Sequence, residues 1–193
     1  KEYIKSIGLE ESGLNKIIKK GYETLNLISQ YKEVKPRPEI NKIVQHRLYE
    51  KDFVNNCNIR TTKYVSIKKK SDLNANNKLI PGILKTCRFG YDGKGQYRIN
   101  NASDIENLNI DFSKEYIFEK VINLKKEFSI ILTRFGHSIY EIYDPIENEH
   151  ENQILKYSKI PALIDEKIIL KAKDWASIIA DDLDYLGTLC VEY

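Results

Sequence analysis

The sequence predicts an α/β (α+β) fold preceded by helices. Three observations carry that expectation. Between residues 59 and 126, short strand-like apolar runs alternate with polar or helical stretches. Residues 127–135 and 138–144 are two Ile- and Phe- or Tyr-bearing runs joined at Gly136-His137, the pattern of an antiparallel hairpin. Residues 165–186 repeat apolar positions at Ile168, Ala172, Trp175, Ile179 and Leu183, the spacing of one helix face.

The bulk composition sets the frame. The chain has 193 residues, 41% hydrophobic and 31% charged, enough to bury a core and too apolar for a disordered tail. Net charge is only +3 and Lys68-Lys69-Lys70 is the only lysine triplet, so no nucleic-acid partner is expected. Cys57, Cys87 and Cys190 stand far apart without C-x-x-C spacing. They read as reduced thiols of a cytoplasmic protein, with no disulfide frame or zinc site. No apolar run approaches membrane-spanning length and no signal peptide is visible, so no membrane partner is expected.

The elements follow in order. Residues 1–30 read as helical, with Ser12 or Asn15 capping a second helix within them. Pro36 and Pro38 break the pattern, and a further helix runs from about 38 to 55. Its Arg47 and Lys51 read as an exposed, ion-paired face, and His46 as surface or satisfied core. Residues 62–67, 82–87, 97–99 and 116–122 read as strands, and 68–78 as a loop or short helix. A capping box at Ser103-Asp104-Ile105-Glu106 starts a short helix. Glu119 lies inside an apolar strand, so it either faces outward or needs a partner. Residues 147–152 are a polar segment and 154–161 an extended piece. Gly187 stops the long helix, and 188–193 is a closing strand holding Glu192.

One stretch carries chemistry of its own. Lys85 sits near the end of a strand that opens into Gly90-Tyr91-Asp92-Gly93-Lys94-Gly95-Gln96. Asp-Gly between strand-like runs turns a hairpin. Glycines between two lysines also let backbone N–H groups cradle an anion. Both readings stand, and a hairpin tip folding over a phosphate satisfies the two together.

Five segments in order resemble one family. They are the glycine string of residues 85–96, the strand Glu119-Lys120-Val121-Ile122, and the Lys-Glu-Phe-Ser-Ile run at Glu127. The Tyr-Asp-Pro-Ile-Glu-Asn segment at 143–148 and the closing Gly-Thr-Leu-Cys-Val-Glu-Tyr complete the set. From about residue 34 to 193 the chain resembles the ATP-grasp enzymes, and within them the branch that carboxylates 5-aminoimidazole ribonucleotide in purine synthesis. The resemblance implies an ATP-grasp core fragment: helices, a small α/β lid subdomain (59–123), and the first part of a larger antiparallel-sheet subdomain (124–193).

It also implies a carbon–nitrogen ligase using ATP and Mg2+, with bicarbonate and 5-aminoimidazole ribonucleotide as further substrates. Such chemistry is mostly charge placement. By the same resemblance Lys85 and Arg47 contact the nucleotide, and residues 90–96 form a flap over its phosphates. The backbone from Glu119 to Ile122 reads adenine, and Glu127 accepts from the ribose. His150 lies at the nucleotide, and Glu192 is a magnesium carboxylate. No residue is assigned to bond-making itself, and a homodimer is compatible. The resemblance places a second metal ligand and a substrate segment on a strand after Tyr193, so little activity is expected of this stretch alone. Residues 1–32 instead resemble a helical piece of Obg-like ribosome-binding GTPases, which implies a junction of two coding segments near residues 31–34. The alternatives are another ATP-grasp ligase of purine metabolism, or a non-catalytic nucleotide-binding or interaction module.

Overall fold

Two prolines and one histidine divide the helical first third. The computed structural model describes residues 22–88, 95–151 and 154–193. The helical expectation for residues 1–21 lies outside the described residues. Helix α1 spans Tyr22–Ser29, and α2 (Pro38–Val44) begins on a proline, whose missing N–H costs nothing there. The single helix expected from 38 to 55 is two, because α3 (Arg47–Asn56) starts afresh after His46. That residue is extended (φ −133°, ψ 106°). The break seats its ring in the interior, stacked on Tyr49 at 4.0 Å, with Nε2 2.9 Å from Glu115. Helix α3 ends in a Schellman motif with Asn58 left-handed (φ 59°), so Ile59 N–H reaches Val54 and Asn58 N–H reaches Asn55.

The first sheet has the order β1–β4–β2–β3, antiparallel throughout. Its strands are β1 (Tyr64–Ile67), β2 (Gly82–Thr86), β3 (Gln96–Ile99) and β4 (Tyr116–Lys120). Helix α4 (Lys70–Ala75) lies between β1 and β2, and α5 (Ala102–Glu106) between β3 and β4. Alternation puts Ile67, Leu84, Ile99 and Phe118 on one face, where Leu73 and Ile105 from the helices close a core. The cap of α5 differs from expectation. Asn101, not Ser103, accepts from Asp104 N–H, and the Asp104 carboxylate reaches back to Asn100 and Asn101 N–H. Asn and Asp at this spacing satisfy the same orphan donors as Ser and Glu would two residues later.

Gly82 is where the lid core closes most tightly. A Cβ there would stand 2.4 Å from the Phe118 ring and 2.9 Å from the Glu119 carbonyl. The ring is fully buried and the carbonyl belongs to a paired strand, so neither gives way cheaply. Gly82→Ala is therefore expected to cost about 1–3 kcal/mol, the range for overpacking. A denaturant titration checks this, and an unchanged midpoint would contradict it.

The second sheet is organised on the long strand β5 (Glu127–Gly136). One edge of β5 is shared. Its first residues pair with β7 (Ile146–Glu151) and its last with β6 (Ile139–Ile142), while β9 (Gly187–Glu192) fills the other edge. Strand β8 (Ile154–Lys159) pairs with β7. The polar segment at 147–152 is thus largely a strand, held by backbone pairing although Ile-Glu-Asn-Glu-His-Glu lacks an apolar alternation. Phe128, Ile130 and Leu132 face α6 (Glu166–Asp182), which answers with Ala172, Ala176 and Ala180, small residues four apart. The other stripe of α6, with Ile179 and Leu183, packs on Ile40 and Ile59 beside α2 and α3.

Gly187 does not stop α6. The helix ends at Asp182 in a second Schellman motif, with Asp184 left-handed (φ 46°) and Tyr185 N–H bonded to Ala180. Gly187 (φ 117°) instead opens β9. Asp184 also pairs with a buried guanidinium. Arg134, 3% exposed, donates to Asp181 at 2.7 Å, to Asp184 at 3.1 Å and to the Tyr185 carbonyl at 3.0 Å. Tyr140 O–H also donates to Asp181. Among the described residues no helix is long and apolar enough to cross a membrane.

Candidate functional site

The pleat of the first sheet decides which groups leave its core. With Leu84 inside, Ile83 and Lys85 point to the opposite face. The β2–β4 register sets Glu119 opposite Ile83 and Ile117 opposite Lys85, so Lys85 and Glu119 are diagonal neighbours on that face. Lys85 Nζ donates to Glu119 Oε2 at 2.7 Å. Helix α3 brings Lys51 Nζ to 3.3 Å from Oε1 of the same carboxylate and 5.9 Å from the centre of the Tyr64 ring. Glu119 is thus not outward-facing; it is 6% exposed and doubly paired.

Burial pushes the Glu119 carboxyl up, but Lys85 and Lys51 overcome it and hold it below the ordinary 4.5. The sign follows. A depressed carboxylate stabilises the fold fully above 4.5 and loses that contribution as pH falls through its lower folded value. The stability gap between the wild type and Glu119→Gln should be widest near neutrality and close as pH drops below 4.5. Denaturant midpoints measured down through the acid range check this, and a gap independent of pH would contradict it.

The start of α3 is docked on the end of β2. Arg47 N–H donates to the Cys87 carbonyl at 3.0 Å and its Nε to the Thr86 carbonyl at 3.2 Å. Behind them His46 is fully buried, with Nε2 on Glu115 and Nδ1 without a partner among the described residues. The Glu50 carboxyl sits among Arg47, Lys51, Glu119 and Glu192. Its crowded setting raises its pKa by lost solvation; Lys51 and Arg47 pull it down, and Glu192 and Glu119 add to the rise. Burial pushes the Cys87 thiol up to about 11, which removes it as a nucleophile near neutrality.

The strands that flank the loop expected to cover this face pair with one another: Lys85 pairs with Gln96, and Thr86 N–H donates to the Gly95 carbonyl. Gly95 is left-handed (φ 78°), and a Cβ would stand 2.9 Å from Thr86 Oγ1, so glycine is required. Gly90, Tyr91, Asp92, Gly93 and Lys94 lie outside the described residues. Lys120 turns away, its Nζ 3.5 Å from the Ile80 carbonyl. The N–H groups of Lys120 and Val121 are spent on the Lys63 and Pro81 carbonyls, whereas Ile122 is 56% exposed.

The second sheet contributes its face away from α6. Ser129 pairs with Glu192, and Glu127 with Asn148. Buried Ser129 accepts from Asn148 at 2.6 Å, and Asn148 accepts in turn from Ser158 at 2.8 Å. His150 Nδ1 lies 2.7 Å from Glu127. Glu192 is exposed on this face, within electrostatic reach of Glu50.

The structure therefore gathers Arg47, Lys85, Glu119 and Glu192 around α3, and pairs Glu127 with His150 on the second sheet. The sequence alone reads Lys51 as an exposed, ion-paired position and gives Glu50 no place at the site. The only signal for them was Arg47-Leu-Tyr-Glu-Lys51, in which positions one helical turn apart share a face.

Comparison with known proteins adds the wider setting. A family model described as the ATP-grasp domain matches residues 52–193. The N5-carboxyaminoimidazole ribonucleotide synthase of Staphylococcus aureus (strain MRSA252) is 36% identical over 156 residues, covering 79% of this chain and 41% of that protein. Its namesake in Bacillus subtilis (strain 168) is 32% identical over 174 residues, covering 89% and 46%. A crystal structure of the Staphylococcus aureus synthetase complexed with ADP superposes with a TM-score of 0.79 at 31% identity, over 89% of this chain and 46% of that one. The chain spans less than half the length of these relatives.

Proposed function

The chain belongs to the ATP-grasp family, and on that premise we propose that it holds ATP between its two sheets, as the nucleotide-binding part of a carbon–nitrogen ligase. The reaction is ATP-dependent carboxylation of 5-aminoimidazole ribonucleotide. The ATP γ-phosphoryl group passes to bicarbonate, and the resulting carboxyphosphate gives its carboxyl to the ribonucleotide amine and releases phosphate. The observation that carries this reading is Lys85, held on a buried carboxylate where β2 opens into the glycine loop. A lysine fixed there is equipped to hold phosphate.

The other residues fall into place around it. The 59–123 lid brings Lys85 and the 90–96 flap over the phosphates, and Arg47 adds a cation from α3. The adenine edge is read by the backbone at 119–122, where Ile122 supplies the N–H left over once Lys120 and Val121 have spent theirs. Glu127, fixed by His150, accepts from the ribose hydroxyls. Mg2+ neutralises phosphate charge when bound, and Glu192 would hold it. An exposed carboxylate suits that ion, which takes one or two protein oxygens and completes its shell with phosphate and water. Among the described residues no group of three or more His, Cys, Asp or Glu side chains is arranged to hold a metal, which fits an ion held partly by nucleotide. The reading includes a cytoplasmic setting and is compatible with a homodimer.

Calorimetric titration tests it. The chain should bind Mg-ATP and Mg-ADP in preference to the guanine nucleotides. With bicarbonate and 5-aminoimidazole ribonucleotide added, this stretch alone should turn over little or nothing. Absence of adenine-nucleotide binding would overturn the reading.

A further inference from the structure

Two lysines meet on one carboxylate, and only one is needed to neutralise it. Lys85 takes Oε2 of Glu119 at 2.7 Å and Lys51 takes Oε1 at 3.3 Å. Both lysine side chains are 21% exposed, whereas the carboxylate is 9% exposed. The trio thus carries one surplus positive charge, with its cations nearer to solvent than its anion. Lys51 follows Arg47 by one helical turn, so both leave α3 on the same side. Arg47 pins that turn to the end of β2 through Thr86 and Cys87, the two residues leading towards the flap. The Lys51 ammonium group also stands 5.9 Å from the centre of the Tyr64 ring, a second attraction that limits where it can go.

We propose that Lys51 is a second phosphate-contacting cation, and that Glu119 is the counter-ion that keeps Lys51 and Lys85 aimed at the site until phosphate oxygens share them. This rests on the nucleotide reading above. A diphosphate or triphosphate offers several anionic oxygens in a row and can engage two ammonium groups at once. Glu119 stays in place as they shift, because it lies within β4, paired to strands on both sides.

The test compares Mg-ADP with adenosine, which lacks phosphate, by calorimetric titration of the wild type, Lys51→Met, Glu119→Gln and the double variant. Lys51→Met should weaken Mg-ADP by about tenfold, the effect of losing one charge-assisted hydrogen bond, and leave adenosine unchanged. The double variant, which removes the buried ion pair as a unit, should remain about as much weaker for Mg-ADP than Glu119→Gln alone. That second comparison holds even if Lys51→Met fails to fold. If the double variant binds Mg-ADP as Glu119→Gln does, or if Lys51→Met weakens both ligands equally, Lys51 is a structural partner of Glu119 and the proposal falls. If Lys85→Ala weakens Mg-ADP while Lys51→Met does not, the proposal falls and the nucleotide reading survives. A wild type that binds neither ligand overturns the nucleotide reading and takes this proposal with it.

Discussion

Lys85→Ala lowers the affinity for Mg-ATP by between about tenfold and a hundredfold, the span for hydrogen bonds to charged groups. The expected loss is large because the lysine is pre-positioned. It is held on Glu119 at 2.7 Å and only partly solvated, so little side-chain freedom remains to be lost when phosphate arrives. The loss belongs to the phosphates, so adenosine should bind the variant as it binds the wild type. Lys51 still pairs Glu119 in the variant, which spares the fold from an isolated buried carboxylate. Calorimetric titration with both ligands checks the expectation, and unchanged Mg-ATP affinity would remove Lys85 from the site.

Arg134→Ala is expected to cost about 3 kcal/mol of stability, the lower end of the range for breaking a buried ion pair from one side. The guanidinium is 2% exposed and satisfies Asp181, Asp184 and the Tyr185 carbonyl together. Asp181 keeps the Tyr140 hydroxyl, and Asp184, at 59% exposed, is largely solvated; both moderate the loss. For a chain of this size that amounts to roughly 6–12 °C in Tm. Thermal and denaturant unfolding measure it, and a loss below about 1 kcal/mol would mean that the network behaves as a surface pair. Nucleotide affinity of the folded variant should not change, because Arg134 points to the α6 side of the second sheet, opposite Ser129 and Glu192.

The sequence made the site's outline readable where local pattern and chemistry coincide. Lys85 could be found because a strand, a lysine and a glycine string follow one another, and Glu119 because a carboxylate in an apolar strand demands a partner. Lys51 could not be found. Its partner lies on the fourth strand after it, and within its own helix it looks like one more exposed charge. His46 was unreadable for a related reason: a lone histidine has no pattern, and only the break between α2 and α3 shows that its ring is interior. Strand β7 escaped because its pairing comes from the backbone and its side chains are mostly polar. The sequence puts the end of α6 late because glycine is the expected left-handed residue, whereas Asp184 takes that role three positions earlier.

Strand β5 joins neighbours that return over very different lengths of chain. Its pairing with β6 closes a loop of a few residues, and its pairing with β7 a moderately longer one. Its pairing with β9 closes a loop that takes in β8 and the whole of α6. Loop-closure entropy grows only logarithmically, adding about 0.6 kcal/mol for each doubling, so the fold tolerates this reach at modest cost. The ordering still favours the local hairpin as the template onto which the distant strand is added. Glu192 is carried by that distant strand. The position of Glu192 therefore depends on the least local contact in the sheet, whereas Lys85 sits on β2, whose pairing with β3 closes only a short loop.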